Sequence, residues 1–119
     1  MKLEVGMYVR TEYGIDKIKD IVLNGSFYED SGLYLEKNGK ILCGKEAMKD
    51  LKASHNIIDL VQENDYIRII SSAFFEPVYY SYGKLVIRDD IPIENYSNKF
   101  IAEVITREQI ESMSYKVGE

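Results

Sequence analysis

A chain of 119 residues, 45% hydrophobic and 29% charged, is sized for one domain that can fold on its own core without disulfides. No apolar run approaches the ~20 residues of a membrane-spanning helix, and the single cysteine, Cys43, excludes an internal disulfide and points to the cytoplasm. The net charge of −5, split as −1 over residues 1–60 and −4 over residues 61–119, disfavours binding along a nucleic-acid backbone, which needs clustered Lys and Arg.

The first 44 residues read as a β-meander. Met7–Thr11 alternates apolar and polar, Glu12-Tyr13-Gly14 turns, and a second alternating strand runs from Ile15 to Leu23, ended by Asn24-Gly25. Leu33–Lys37 and Lys40–Cys43 flank Asn38-Gly39, the signal of a type I′ hairpin. Lys45–Lys52 has a helical period, with Lys45, Lys49 and Lys52 on a solvated face interleaved with Glu46 and Asp50. Asn56–Val61, Tyr66–Ile70, Phe74–Tyr80 and Lys84–Arg88 are predicted strands, and Pro77 confines the third to an edge or bulge. Tyr82-Gly83 predicts a tight turn, residues 89–99 a loop, and Phe100–Ile105 a strand. A helix over 106–113 follows, opened by a capping box of Thr106 and Gln109 with Glu108 in its first turn, and Tyr115–Val117 closes the chain as a short strand.

Gly6-Met7-Tyr8-Val9-Arg10 is echoed by Asn64-Asp65-Tyr66-Ile67-Arg68. The echo suits two β units or one barrel of two related halves, and chance recurrence of a common strand opening accounts for it equally.

Chemistry is sparse. Cys43 and His55 lack the spacing of metal ligands, and as a nucleophile pair they compete with the plainer reading of a small strand hydrophobe and a polar turn. No phosphate-binding, dinucleotide or nucleophile-elbow motif occurs, so no catalytic residue, cofactor or metal is assigned. The aromatics Phe74-Phe75 and Tyr79-Tyr80-Ser81-Tyr82 stand out, with two accounts open: core side chains with tethered hydroxyls, or exposed anchors for a partner.

Three patches carry a resemblance: Val5–Thr11; Ser54–Val61 with Asp65-Tyr66-Ile67; and Ile105–Gln109 with Met113–Val117. Together they resemble small proteins encoded by phages, prophages and chromosomes of low-GC Gram-positive bacteria. That resemblance implies a mostly-β fold and a mobile-element setting and transfers no active site. The opening also resembles the first strand of SH3-like or Tudor-like barrels.

The expected fold is mostly β: a small SH3-like barrel or two packed antiparallel sheets with two short helices. It forms one domain over 1–119, with a subdivision into β units at about 1–56 and 57–119 as the variant. The expected function is non-catalytic protein binding by an accessory protein of phage or prophage origin, in sharper form an inhibitor of a host defence or nucleic-acid enzyme. A small-molecule or nucleotide-binding enzyme and a single-strand binder using aromatic stacking are the rivals. The contact surface is placed on residues 74–96, comprising Glu76, Tyr79, Tyr80, Tyr82, Asp89, Asp90, Glu94 and Tyr96, aromatics ringed by acids that suit a basic protein partner. The oligomeric state is not legible.

Overall fold

The computed structural model describes residues 3–22, 32–42 and 51–113. Cys43, the Asn24-Gly25 turn, residues 45–50 of the predicted first helix and the Tyr115–Val117 strand lie outside them. The fold is mostly β with antiparallel pairing throughout, as the alternation predicts. The chain divides into two compact units, Met1–Leu60 and Val61–Glu119.

In the first unit, β1 (Tyr8–Thr11), β2 (Gly14–Val22), β3 (Gly32–Leu35) and β4 (Gly39–Leu42) form a meander, and β5 (Ala53–Ser54) returns beside β1. The strand order is β4-β3-β2-β1-β5. Met7, Val9, Ile18, Leu33, Leu35 and Ala53 form its buried cluster. Burying each of the larger aliphatic side chains is worth about 1.5–3 kcal/mol. Ile18 and Ile21 have opposite parity, yet both pack on this cluster. A register shift between Ile18 and Asp20 inserts one residue and turns Ile21 back inward.

The parity of β2 also buries Asp16, 4% exposed. Its carboxylate accepts the N–H groups of Lys17 (2.8 Å), Lys37 (3.0 Å) and Asn38 (2.9 Å) and the Asn38 side-chain amide (3.0 Å). This corrects the predicted type I′ turn. Leu35 pairs with Gly39 across a three-residue loop, and Gly39 takes φ +70° where the loop ends. Asp16 supplies acceptors that a two-residue turn would not need.

A second correction concerns Asn56–Val61, predicted as a strand. Ile57–Leu60 is a 3₁₀ turn. Ser54 Oγ accepts the Asn56 N–H (3.0 Å) and donates to Asp59 (2.6 Å), while the Asp59 N–H donates to the Asn56 carbonyl (3.0 Å). Those local bonds draw the backbone out of the ladder.

The second unit contains β6 (Tyr66–Ile69), β7 (Glu76–Pro77), β8 (Tyr79–Ser81), β9 (Lys84–Ile87), β10 (Ile91–Pro92), β11 (Ile101–Ile105) and the helix α1 (Arg107–Met113). Its sheets run β10-β9-β8 and β11-β6-β7. The predicted Phe74–Tyr80 strand is thus two short strands flanking Val78, with Pro77 on the edge strand β7, where a missing N–H costs no ladder bond. The predicted 89–99 loop contains β10 and two 3₁₀ turns, Ile93–Asn95 and Asn98–Phe100.

The echo in sequence is an echo in backbone. Gly6 (φ +93°) and Asn64 (φ +73°) both take the left-handed conformation two residues before a strand. The Met7 N–H donates to the Glu4 carbonyl and the Asp65 N–H to the Gln62 carbonyl, each at 3.2 Å. Gly6 and Met7 then bond both backbone groups of Ile18 (2.9 and 2.8 Å), as Asn64 and Asp65 bond those of Val78 (3.0 and 2.9 Å). Tyr8 faces Lys17 and Tyr66 faces Pro77, in each case the residue before that aliphatic. Since β7 and β8 flank Val78 as the two halves of β2 flank Ile18, the second unit repeats the strand order of the first. The units differ in several connections, among them the first: Glu12-Tyr13 joins β1 to β2, whereas residues 70–75 join β6 to β7.

Each unit closes on a hydroxyl residue at or just after the end of its last strand, in the first Ser54, the final residue of β5. In the second it is Thr106, fully buried, whose Oγ accepts the Gln109 N–H (3.3 Å) while Gln109 Oε1 accepts the Thr106 N–H (2.9 Å). The predicted capping box is present, and Ile110 and Met113 of α1 are exposed. Thr106→Ala is expected to cost about 1–2 kcal/mol, measured as a shift in the urea midpoint at unchanged slope.

Asp65 is fully buried, at 0% exposure. Its carboxylate accepts the Gln62 N–H (2.7 Å) and the Arg107 N–H (3.0 Å), tying the turn before β6 to the first turn of α1.

Candidate functional site

The second unit carries the residues predicted as the contact surface, and its hairpins sort them into two groups. Ser81 pairs with Lys84, so Tyr82-Gly83 is a two-residue turn with φ +51° and +79°, the type I′ pattern. At this end Lys84 Nζ donates to Glu94 Oε1 (2.9 Å). At the opposite end of β9, Ile87 pairs with Ile91 across Arg88-Asp89-Asp90, three consecutive left-handed residues with φ +33°, +53° and +61°. Asp tolerates that conformation through its short polar side chain, and Arg has no such compensation.

Side chains from β7 and β8 hold the strained loop. Arg88 Nε donates to Glu76 Oε1, and the Tyr79 hydroxyl donates to Asp90 Oδ1 (3.0 Å) and accepts the Asp90 N–H (3.3 Å). The Glu76 carboxylate holds the Arg88 guanidinium above its ordinary pKa. The bond to Asp90 likewise raises the Tyr79 phenol, because deprotonation would set a phenolate against a carboxylate. A raised folded-state pKa means that the bond's contribution to stability is complete below pH ~10 and lost as pH rises through the folded value. Tyr79 is therefore expected to titrate above the ordinary phenol range in a ¹³Cζ NMR titration, and Asp90→Asn to lower its midpoint.

The aromatics are surface residues: Phe74 is 77% exposed, Tyr80 57%, and Tyr82 fully so. This overturns the account in which Phe74, Tyr80 and Tyr82 fill the core. The acids are partly neutralised, Glu76 by Arg88 and Glu94 by Lys84, which leaves Asp89 and Asp90 as the uncompensated charges of the segment.

Tyr96, the last of the predicted residues, lines an open cleft of about 380 Å³ together with Ile69, Ser71, Ser72, Phe74 and Arg88. Arg88 and the serines do not stand out in the sequence. The signal that could have found them is the spacing of the echo: twelve residues lead from Tyr66 to Val78 against ten from Tyr8 to Ile18, a net two that combines a connection four residues longer, 70–75 against Glu12-Tyr13, with a strand two residues shorter before the paired aliphatic.

Elsewhere, His55 Nε2 lies 3.1 Å from Glu4 Oε2, an exposed pair in the first unit. Among the described residues, no group of three or more His, Cys, Asp and Glu side chains is placed to hold a metal ion. No helix among them is long and apolar enough to cross a membrane. Comparison with family models, curated proteins and solved structures finds no match.

Proposed function

We propose that this chain is a non-catalytic protein-binding protein of the cytoplasm whose contact surface lies on the second unit, along the β8–β9 hairpin. The observation that carries this reading is Tyr82: a large aromatic side chain fully in solvent, in a left-handed conformation that costs about 1 kcal/mol relative to Asn or Gly. A turn selected for stability alone would hold Asn-Gly. Tyr80, exposed on the adjoining strand, extends the surface, and rigid tyrosines give contact area at small entropic cost. Asp89 and Asp90 favour a basic partner by raising the rate of encounter. The mobile-element setting and a host defence or nucleic-acid enzyme as the target rest on the resemblance in the three sequence patches.

The turn makes a clean test. Tyr82→Asn is expected to stabilise the protein by about 0.5–1 kcal/mol, read from its melting midpoint, because Asn accepts positive φ. Combined with Tyr80→Ser, it is expected to weaken partner capture at least ~tenfold, since interface tyrosines commonly contribute 1 kcal/mol or more each. Undiminished capture by a fully folded double variant would remove the surface from this hairpin.

A further inference from the structure

The 70–75 connection is four residues longer than its equivalent in the first unit, Glu12-Tyr13. It builds the cleft, contributing Ser71, Ser72 and Phe74 to the lining. The opposite contribution is Arg88, in a left-handed conformation with no local reason in its sequence. Backbone strain of this kind persists where surrounding structure imposes it, and it clusters at ligand clamps. Here the surroundings are Glu76, which takes the Arg88 Nε–H and orients the guanidinium. Among the described residues that is the one hydrogen bond of the side chain, so both terminal nitrogens remain open as a planar fork of donors. Phe74 and Tyr96 add two aromatic rings, Ile69 an apolar contact and Ser71 a hydroxyl.

We infer that this cleft is a binding site for a small planar aromatic ligand bearing one carboxylate. A guanidinium fork matches a carboxylate in a bidentate arrangement, and aromatic side chains with an aliphatic contact match a flat ring. The volume lies in the range of small-molecule sites. Charge selects the carboxylate over a phosphate: Asp89 and Asp90 follow Arg88 directly, and they oppose a dianion more strongly than a monoanion. The tyrosines of the docking surface, Tyr80 and Tyr82, do not line the cleft, while Asp89 and Asp90 adjoin both.

The test is a titration of the ¹⁵N-labelled full chain with 2-naphthoate. Saturable shifts are expected at the Ile69, Ser72 and Ala73 amides, with a Kd on the order of 1 mM or tighter, as befits an unoptimised fragment. Cyclohexanecarboxylate, which lacks the flat ring, and phenyl phosphate, which carries a second charge, are each expected to bind at least ~fivefold more weakly. Arg88→Lys keeps the charge but loses the fork, and Phe74→Ala removes an exposed ring, so each should weaken 2-naphthoate by ~fivefold or more. Should Arg88→Lys loosen its loop, Phe74→Ala in a protein of unchanged melting temperature decides the matter. Absence of saturable shifts, or binding indifferent to Phe74→Ala, overturns the site. Tighter binding of phenyl phosphate overturns the ligand class.

Discussion

Asp65→Ala is expected to destabilise the second unit by about 3–5 kcal/mol, enough to unfold it in mild denaturant. The carboxylate is fully buried and accepts the backbone N–H groups of Gln62 and Arg107. Truncation leaves two donors without their acceptor at about 1–3 kcal/mol each, together with a small void. The two donors lie on either side of the strand opening at Tyr66, so the turn before β6 and the start of α1 should loosen together. Hydrogen exchange would show lost protection at Ile67, Val78 and Ile110. A variant whose urea midpoint moves by less than the equivalent of 1 kcal/mol would mean that water replaces the carboxylate and that the cross-link is dispensable.

Asp16→Ala is the counterpart in the first unit, with an expected cost of about 2–4 kcal/mol. Four N–H groups converge on this nearly buried carboxylate, and those of Lys37 and Asn38 belong to the loop that fixes the register of β3 against β4. Loop amides nearer the surface recover part of their bonding from water, hence the smaller figure. Asp16→Asn separates charge from acceptor count: it keeps one oxygen, replaces the other with a donor among donors, and should fall between wild type and alanine. Equal stability of all three proteins, by chemical denaturation, would show that the loop closes without Asp16. In hydrogen exchange, the lost protection should centre on β3 and β4.

The elements most legible in sequence are those whose cause is local. Tyr82-Gly83 announces its turn because glycine permits the required backbone, and Thr106 with Gln109 announces its cap because both partners lie within one turn. Ile57–Leu60 reads as a strand because a short apolar run has no period to distinguish it, and the Ser54–Asp59 bond that decides the matter involves two unremarkable polar residues. The left-handed Arg88 is invisible in sequence, since its partner Glu76 is twelve residues away on another strand. For the candidate site, side-chain type is legible and exposure is not. Alternation places Tyr80 opposite Tyr79 but cannot say which face of a three-residue strand is covered. The strand order shared by the two units is hidden for the same reason: it is written in backbone bonds, which five echoed residues only hint at.

A chain that contains one strand opening twice faces a choice as it folds. The turns ending at Met7 and at Asp65 offer identical backbone donors and acceptors, so each can engage Ile18 or Val78, and tandem β units are prone to such trapped exchanges. The side chains at the two turns settle the competition. Met7 packs in an apolar cluster, whereas the Asp65 carboxylate takes the Arg107 amide in addition to the local Gln62 amide. Exchanged, the carboxylate would be buried against apolar groups without that donor, at a cost of several kcal/mol. An acid buried beside a strand opening is thus an address label, favouring the pairing of each strand with its own sheet.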